Sequence, residues 1–124
     1  MSNFSVGFRQ HNSVQILDLQ GELDAHTAPE LEAALQQCLQ KGHYQILVNG
    51  RHLDYISSAG LGVFMAYIEE IREKGGDLKI AELKPSVYNV FDLLGFPLLF
   101  DIVPSEEEAL ARFARGERPT LPSS

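Results

Sequence analysis

The sequence predicts an α/β layer fold with a largely parallel sheet, on three observations. The N-terminal residues read as an antiparallel hairpin, and beyond it short apolar runs alternate with amphipathic runs of helical period, the order that builds parallel strands joined by helices. At 124 residues and 44% hydrophobic, the chain can fill one core but is too short for two ordinary domains. The most strongly punctuated stretch, Asp54 to Gly62 (Asp-Tyr-Ile-Ser-Ser-Ala-Gly-Leu-Gly), falls in the middle of that alternation as a strand-to-helix junction.

The elements follow in order. Phe4, Val6 and Phe8 alternate with polar residues, and after His11 and Asn12 the run Val14 to Leu19 is rich in apolar and β-branched types, which gives the hairpin. Gly21 to Thr27 reads as a loop. Thr27 stands three residues before Glu30, the spacing of a reciprocal capping box, so the first helix starts after Thr27. Its apolar face is Leu31, Ala34, Leu35, Cys38 and Leu39, and Lys41-Gly42 ends it. Tyr44 to Val48, apolar at nearly every position, reads as a short central strand covered on both faces.

Past the junction, Leu61, Phe64, Ile68 and Ile71 line one face of a second helix that closes at Lys74-Gly75-Gly76. Leu78 to Ala81 is the next strand. Pro85 suits the first turn of a third helix, with Val87, Val90, Phe91 and Leu94 on one face and Gly95 at its end. Leu98 to Val103 reads as the last strand. Ser105 and Glu108 form a second capping box, opening a fourth helix that turns Ala109, Leu110 and Phe113 inward. The stretch 116–124 has too little apolar content to offset its ordering entropy, so one domain is expected over 1–115 and no order beyond it.

Composition narrows the function. A net charge of -7 and a pI near 5.0 argue against a nucleic-acid backbone or an anionic membrane surface as the main partner. No apolar run is long enough to span a bilayer and the N-terminus lacks the pattern of a signal peptide, so a cytoplasmic protein without membrane insertion is expected. Cys38 is the single cysteine, on an apolar helix face, and reads as core in a reducing compartment.

The chemistry centres on Ser57 and Ser58 at the start of the second helix. A hydroxyl there accepts a backbone N–H, and Ser57 is the candidate cap. Ser58-Ala59-Gly60 supplies half of a Gly-x-Ser-x-Gly nucleophile elbow, but Ile56 occupies the first glycine position, and His26 would have to serve as base. There is no dinucleotide fingerprint or Walker-type loop, and His11, His26, His43 and His52 have no ligand-like spacing. No enzyme, metal or cofactor is expected.

Gly21-Glu22-Leu23-Asp24-Ala25-His26-Thr27 and Leu53 to Gly62, with the Gly75-Gly76 turn, the Pro85 helix and Gly95, resemble the signature stretches of STAS-domain anti-sigma factor antagonists over roughly residues 4 to 114. The resemblance implies a STAS-like mixed sheet with about four helices. It also implies a phosphoacceptor at Ser58, the serine two residues before Gly60-Leu61-Gly62, and an acidic residue close to it, Asp24. A partner would then be bound by Asp24, His26, Ser57, Ser58, Ala59, Gly60 and Leu61. Two positions depart from the best-known members, with Ser57 where Asp is usual and Ala59 where Ser or Thr is usual.

By that resemblance the protein is a binding module in a partner-switching circuit. Unphosphorylated, it holds an anti-sigma factor that is itself a serine kinase. Phosphorylated, it lets go, until a metal-dependent PP2C-type phosphatase resets it. The alternative role for the same fold is a regulatory subunit of a membrane transporter.

Overall fold

The computed structural model describes residues 3–119. β1 (Phe4–His11) and β2 (Val14–Leu23) pair antiparallel through a two-residue turn at Asn12 and Ser13, where Asn12 takes φ 53°, a left-handed conformation that asparagine tolerates. α1 (Ala28–Gln40), β3 (Gln45–Ile56), α2 (Ser58–Glu73), β4 (Asp77–Ala81), α3 (Pro85–Leu93), a 3-10 turn (Phe96–Leu98), β5 (Ile102–Val103) and α4 (Glu106–Ala114) follow. The five strands lie in the order β1-β2-β3-β4-β5, and every neighbouring pair beyond the hairpin is parallel. The fold is thus α/β and STAS-like, a mixed sheet with four helices.

Right-handed crossovers that step across the sheet in one direction put α1, α2 and α3 on the same face. Side-chain alternation agrees. Leu17, Leu19, Ile46, Val48, Leu78 and Ile80 pack with Leu31, Leu35, Phe64, Ile71 and Phe91 on that side. Val14, Ile16, Leu47, Ala81 and Val103 meet Ala109 and Phe113 of α4 on the other. Leu61, Phe64, Ile68 and Ile71 are all buried, as the helical spacing requires. Cys38 is buried too, and burial pushes its thiol pKa up.

α1 and α2 close on paired backbone bonds. Gly42 N–H reaches Leu39 O and His43 N–H reaches Cys38 O; Gly75 N–H reaches Arg72 O and Gly76 N–H reaches Ile71 O. Ser105 caps α4 by accepting from Glu108 N–H at 3.1 Å.

Five local expectations are corrected. Of the stretch read as a loop, Gly21 to Leu23 belong to β2, held by pairing with β3, and only Asp24 to Thr27 lie beyond it. The strand expected at Tyr44 to Val48 runs from Gln45 to Ile56, because β2 continues beside it and pairs Gln20, Gly21, Glu22 and Leu23 with His52, Leu53, Tyr55 and Ile56. Along that upper half Arg51, His52, Asp54 and Tyr55 face solvent, so their polarity hides the strand. The last strand is two residues long, since Phe96–Leu98 coils and Phe100 turns inward against Phe64 and Phe96, at centroid distances of 6.4 and 5.4 Å. Leu94 is 57% exposed because Phe96, carried back by left-handed Gly95, packs on Phe91 at 5.5 Å and takes the expected place. Thr27 precedes α1 but makes no side-chain cap bond.

Of the stretch 116–124, residues 120–124 lie outside the described residues. Glu117 is held, its N–H on Arg112 O and its carbonyl accepting from Lys79 Nζ at 2.5 Å.

Candidate functional site

The loops after β2 and β3 emerge side by side at one edge of the sheet. Ser57 N–H donates to Leu23 O at 2.9 Å, tying the second loop to the first. Gly60 sits where a Cβ would stand 2.7 Å from Leu23 Cγ and 3.0 Å from Ile56 Cγ1, so the first turn of α2 rests on both strand ends. Gly21, at φ 99°, leaves room for Asn3, whose carbonyl oxygen would lie 1.7 Å from a Cβ and which accepts from Glu22 N–H at 2.9 Å.

Asp24 and Thr27 build the first loop. One oxygen of the Asp24 carboxylate accepts from His26 N–H at 2.9 Å and Thr27 N–H at 3.1 Å, with the Thr27 hydroxyl 3.3 Å away. Thr27 Oγ1, in a residue 6% exposed, accepts from Asp24 N–H at 2.9 Å and donates to Glu22 O at 2.8 Å. Desolvation pushes the Asp24 carboxyl up, but the Thr27 and His26 donors together outweigh it and hold its pKa below the ordinary value. Asp24 therefore shapes the loop as well as charging the edge.

The two serines differ. Ser57 has extended, cap-like backbone (φ -105°, ψ 173°), and its carbonyl accepts the first helical bond, from Leu61 N–H at 3.1 Å. Its hydroxyl does not cap; Oγ is buried and has no hydrogen-bond partner among the described residues. Ser58, the first residue of α2, is exposed. The N–H groups of Ser58, Ala59 and Gly60 precede the first helical bond, so they and the helix dipole present positive potential beside the Ser58 hydroxyl.

Of the other residues expected at the partner contact, His26 and Ala59 are exposed, whereas Gly60 and Leu61 are buried. Leu61 is 2% exposed because its place on the helix faces the sheet, so it sets the position of α2 and is not on the surface. Sequence reasoning gave Thr27 the wrong bonds and passed over two neighbours of the junction. Thr27 organises the loop, Tyr55 stands 50% exposed beside the junction, and Lys84 at the start of α3 forms an ion pair with Asp54. An aromatic side chain two residues before the paired serines was the available signal for Tyr55; the ion pair joins residues thirty apart and left none.

Among the described residues no cluster of three His, Cys, Asp or Glu side chains is placed to hold a metal, and no helix is long and apolar enough to cross a membrane.

Comparison with known proteins agrees with this architecture. A family model described as STAS domain matches residues 5–109. BtrV of Bordetella bronchiseptica, named as a candidate anti-sigma factor antagonist, is 40% identical over 95 residues, covering 77% of this chain and 82% of BtrV. The anti-sigma-B factor antagonist of Bacillus subtilis is 29% identical over 106 residues, covering 85% and 95%. Among solved structures, a candidate anti-sigma factor antagonist from Thermotoga maritima superposes with a TM-score of 0.81 at 22% identity, covering 89% of this chain and 95% of that one.

Proposed function

The chain belongs to the STAS-domain family of anti-sigma factor antagonists, and on that premise we propose that it is a cytoplasmic partner switch thrown by phosphorylation of Ser58. Unmodified, it binds an anti-sigma factor that is also a serine kinase. The kinase transfers the γ-phosphoryl group of ATP to Ser58 Oγ, with ADP leaving and the hydroxyl proton passing to a base of the kinase. A PP2C-type phosphatase hydrolyses the ester and restores the hydroxyl.

The carrying observation is the contrast between the serines. Ser58 is exposed on the first turn of α2, and Ser57 Oγ is buried, so a kinase reaches the first without opening the fold. A phosphate there meets free N–H groups and the positive end of a helix, so the fold tolerates it. The cost falls on the interface. Desolvating a charge of about -1.5 to -2 against a surface that fits a hydroxyl weakens binding, and a loss of about 3 kcal/mol is more than a hundredfold.

Incubation with the cognate kinase and ATP, followed by intact mass and site mapping, tests the proposal. Ser58→Ala takes no phosphate and still binds; Ser58→Asp stays folded and binds poorly. Phosphate mapped to Ser57, or a phosphorylated protein that binds as tightly as the unmodified one, overturns it.

A further inference from the structure

Ser57 stands out twice. Its backbone has the geometry of a helix cap, yet its hydroxyl caps nothing, and that hydroxyl is the single buried side-chain polar atom without a partner among the described residues. An unpaired buried hydroxyl is a cost carried by the unmodified protein. A serine hydroxyl is one torsion from a new direction, and a cap-like backbone aims the turned side chain along the N–H groups of Ala59 and Gly60. Those groups are where a phosphate on Ser58 would be received.

We infer that Ser57 is the positioning residue of the phosphorylated state: once Ser58 carries phosphate, the Ser57 hydroxyl rotates out of its buried, unpaired position and donates to a phosphate oxygen. The inference rests on Ser58 as the phosphoacceptor and assigns the neighbouring serine a role in holding the product. Phosphorylation at this junction then relieves an unsatisfied group. A carboxylate at position 57 would repel the phosphate, whereas a hydroxyl donates to it.

The test uses full chain with phosphate installed on Ser58 during synthesis, so it needs no kinase. The readouts are the phosphorus-31 titration of the phosphoserine and urea unfolding of unmodified protein. A donor to the dianion lowers the second phosphate pKa from its usual value of about 6. Ser57→Ala is expected to raise that pKa by roughly half a unit, Ser57→Gly to do the same, and Ser57→Thr to keep the wild-type titration. In unmodified protein Ser57→Ala is expected to leave the urea midpoint level or higher, because it removes an unpaired hydroxyl. Identical titrations in wild type, Ser57→Ala and Ser57→Gly overturn the inference, as does a fall in the unmodified midpoint of the size that loss of a cap produces. A kinase that modifies another residue defeats the Ser58 assignment and leaves these titrations unchanged, so the two failures are distinguishable.

Discussion

One hydroxyl, that of Thr27, holds the loop that carries Asp24. Replacing this hydroxyl, in a residue 6% exposed, with the near-isosteric valine keeps the volume and removes both bonds, leaving Asp24 N–H and Glu22 C=O without their side-chain partner. Thr27→Val is expected to cost about 1–3 kcal/mol by urea unfolding, the net worth of the two lost hydrogen bonds. Asp24 adds a pH dependence of definite sign. Its folded pKa lies below the unfolded value, so its contribution is present above the ordinary Asp range, near pH 4, and is lost as pH falls through the folded pKa. Between pH 5 and the acid transition, Asp24→Asn should show a shallower loss of stability than wild type, measured as urea midpoint against pH. The sequence located both residues and assigned Thr27 the wrong bonds. A three-residue spacing to Glu30 fits a capping box, and the pattern does not distinguish it from a loop whose threonine bonds backward to Glu22 and Asp24.

At the scale of elements, α2 was legible in full and β3 in half. The helix reveals itself by Leu61, Phe64, Ile68 and Ile71, which all face one core. The upper half of β3 carries Asn49, Gly50, Arg51 and His52, and no rule of local composition assigns a strand there; the continuing β2 imposes it. Two glycines of α2 give the element a directional test. Gly62 is exposed with open space at its Cβ, so Gly62→Ala is expected to stabilise by about 0.5–1 kcal/mol through helix propensity alone. Gly60→Ala drives a methyl against Leu23 and Ile56 and is expected to destabilise by about 1–3 kcal/mol, as overpacking does. Urea midpoints moving in the same direction for both would refute the close approach of α2 to the ends of β2 and β3.

The whole molecule has two unlike ends. Asp24, Ser57 and Ser58 follow the C-terminal ends of β2 and β3; Asp77 begins β4 and Asp101 directly precedes β5, at the opposite end of the sheet. There Lys79, fully buried, donates to Asp77 at 2.9 Å, Asp101 at 2.7 Å and the Glu117 carbonyl at 2.5 Å, with the Phe113 ring centroid 5.0 Å away. The second oxygen of each carboxylate is taken by an arginine, Arg72 from α2 at 2.9 Å and Arg112 from α4 at 3.1 Å. Arg72 also donates to Leu99 O at 2.7 Å. The cluster therefore joins helices from opposite faces of the sheet, and nothing in the apolar run Leu78 to Ala81 announces it beyond a lysine out of place.

Lys79→Met keeps the length of the side chain and removes the charge, leaving two buried carboxylates with one arginine each and the Glu117 carbonyl without its donor. Breaking a buried pair on one side costs about 3–5 kcal/mol, and the surviving arginines should hold the loss at the lower part of that range. The expected outcome is a large fall in urea midpoint, with amide exchange accelerated first around Glu117 and α4. At temperatures where the variant stays folded, phosphate uptake at Ser58 should be unchanged, because none of these bonds reaches the α2 N-terminus. A variant as stable as wild type would mean that the charges add nothing over hydrocarbon. A stable variant that loses phosphorylation would mean that the two ends of the sheet are coupled.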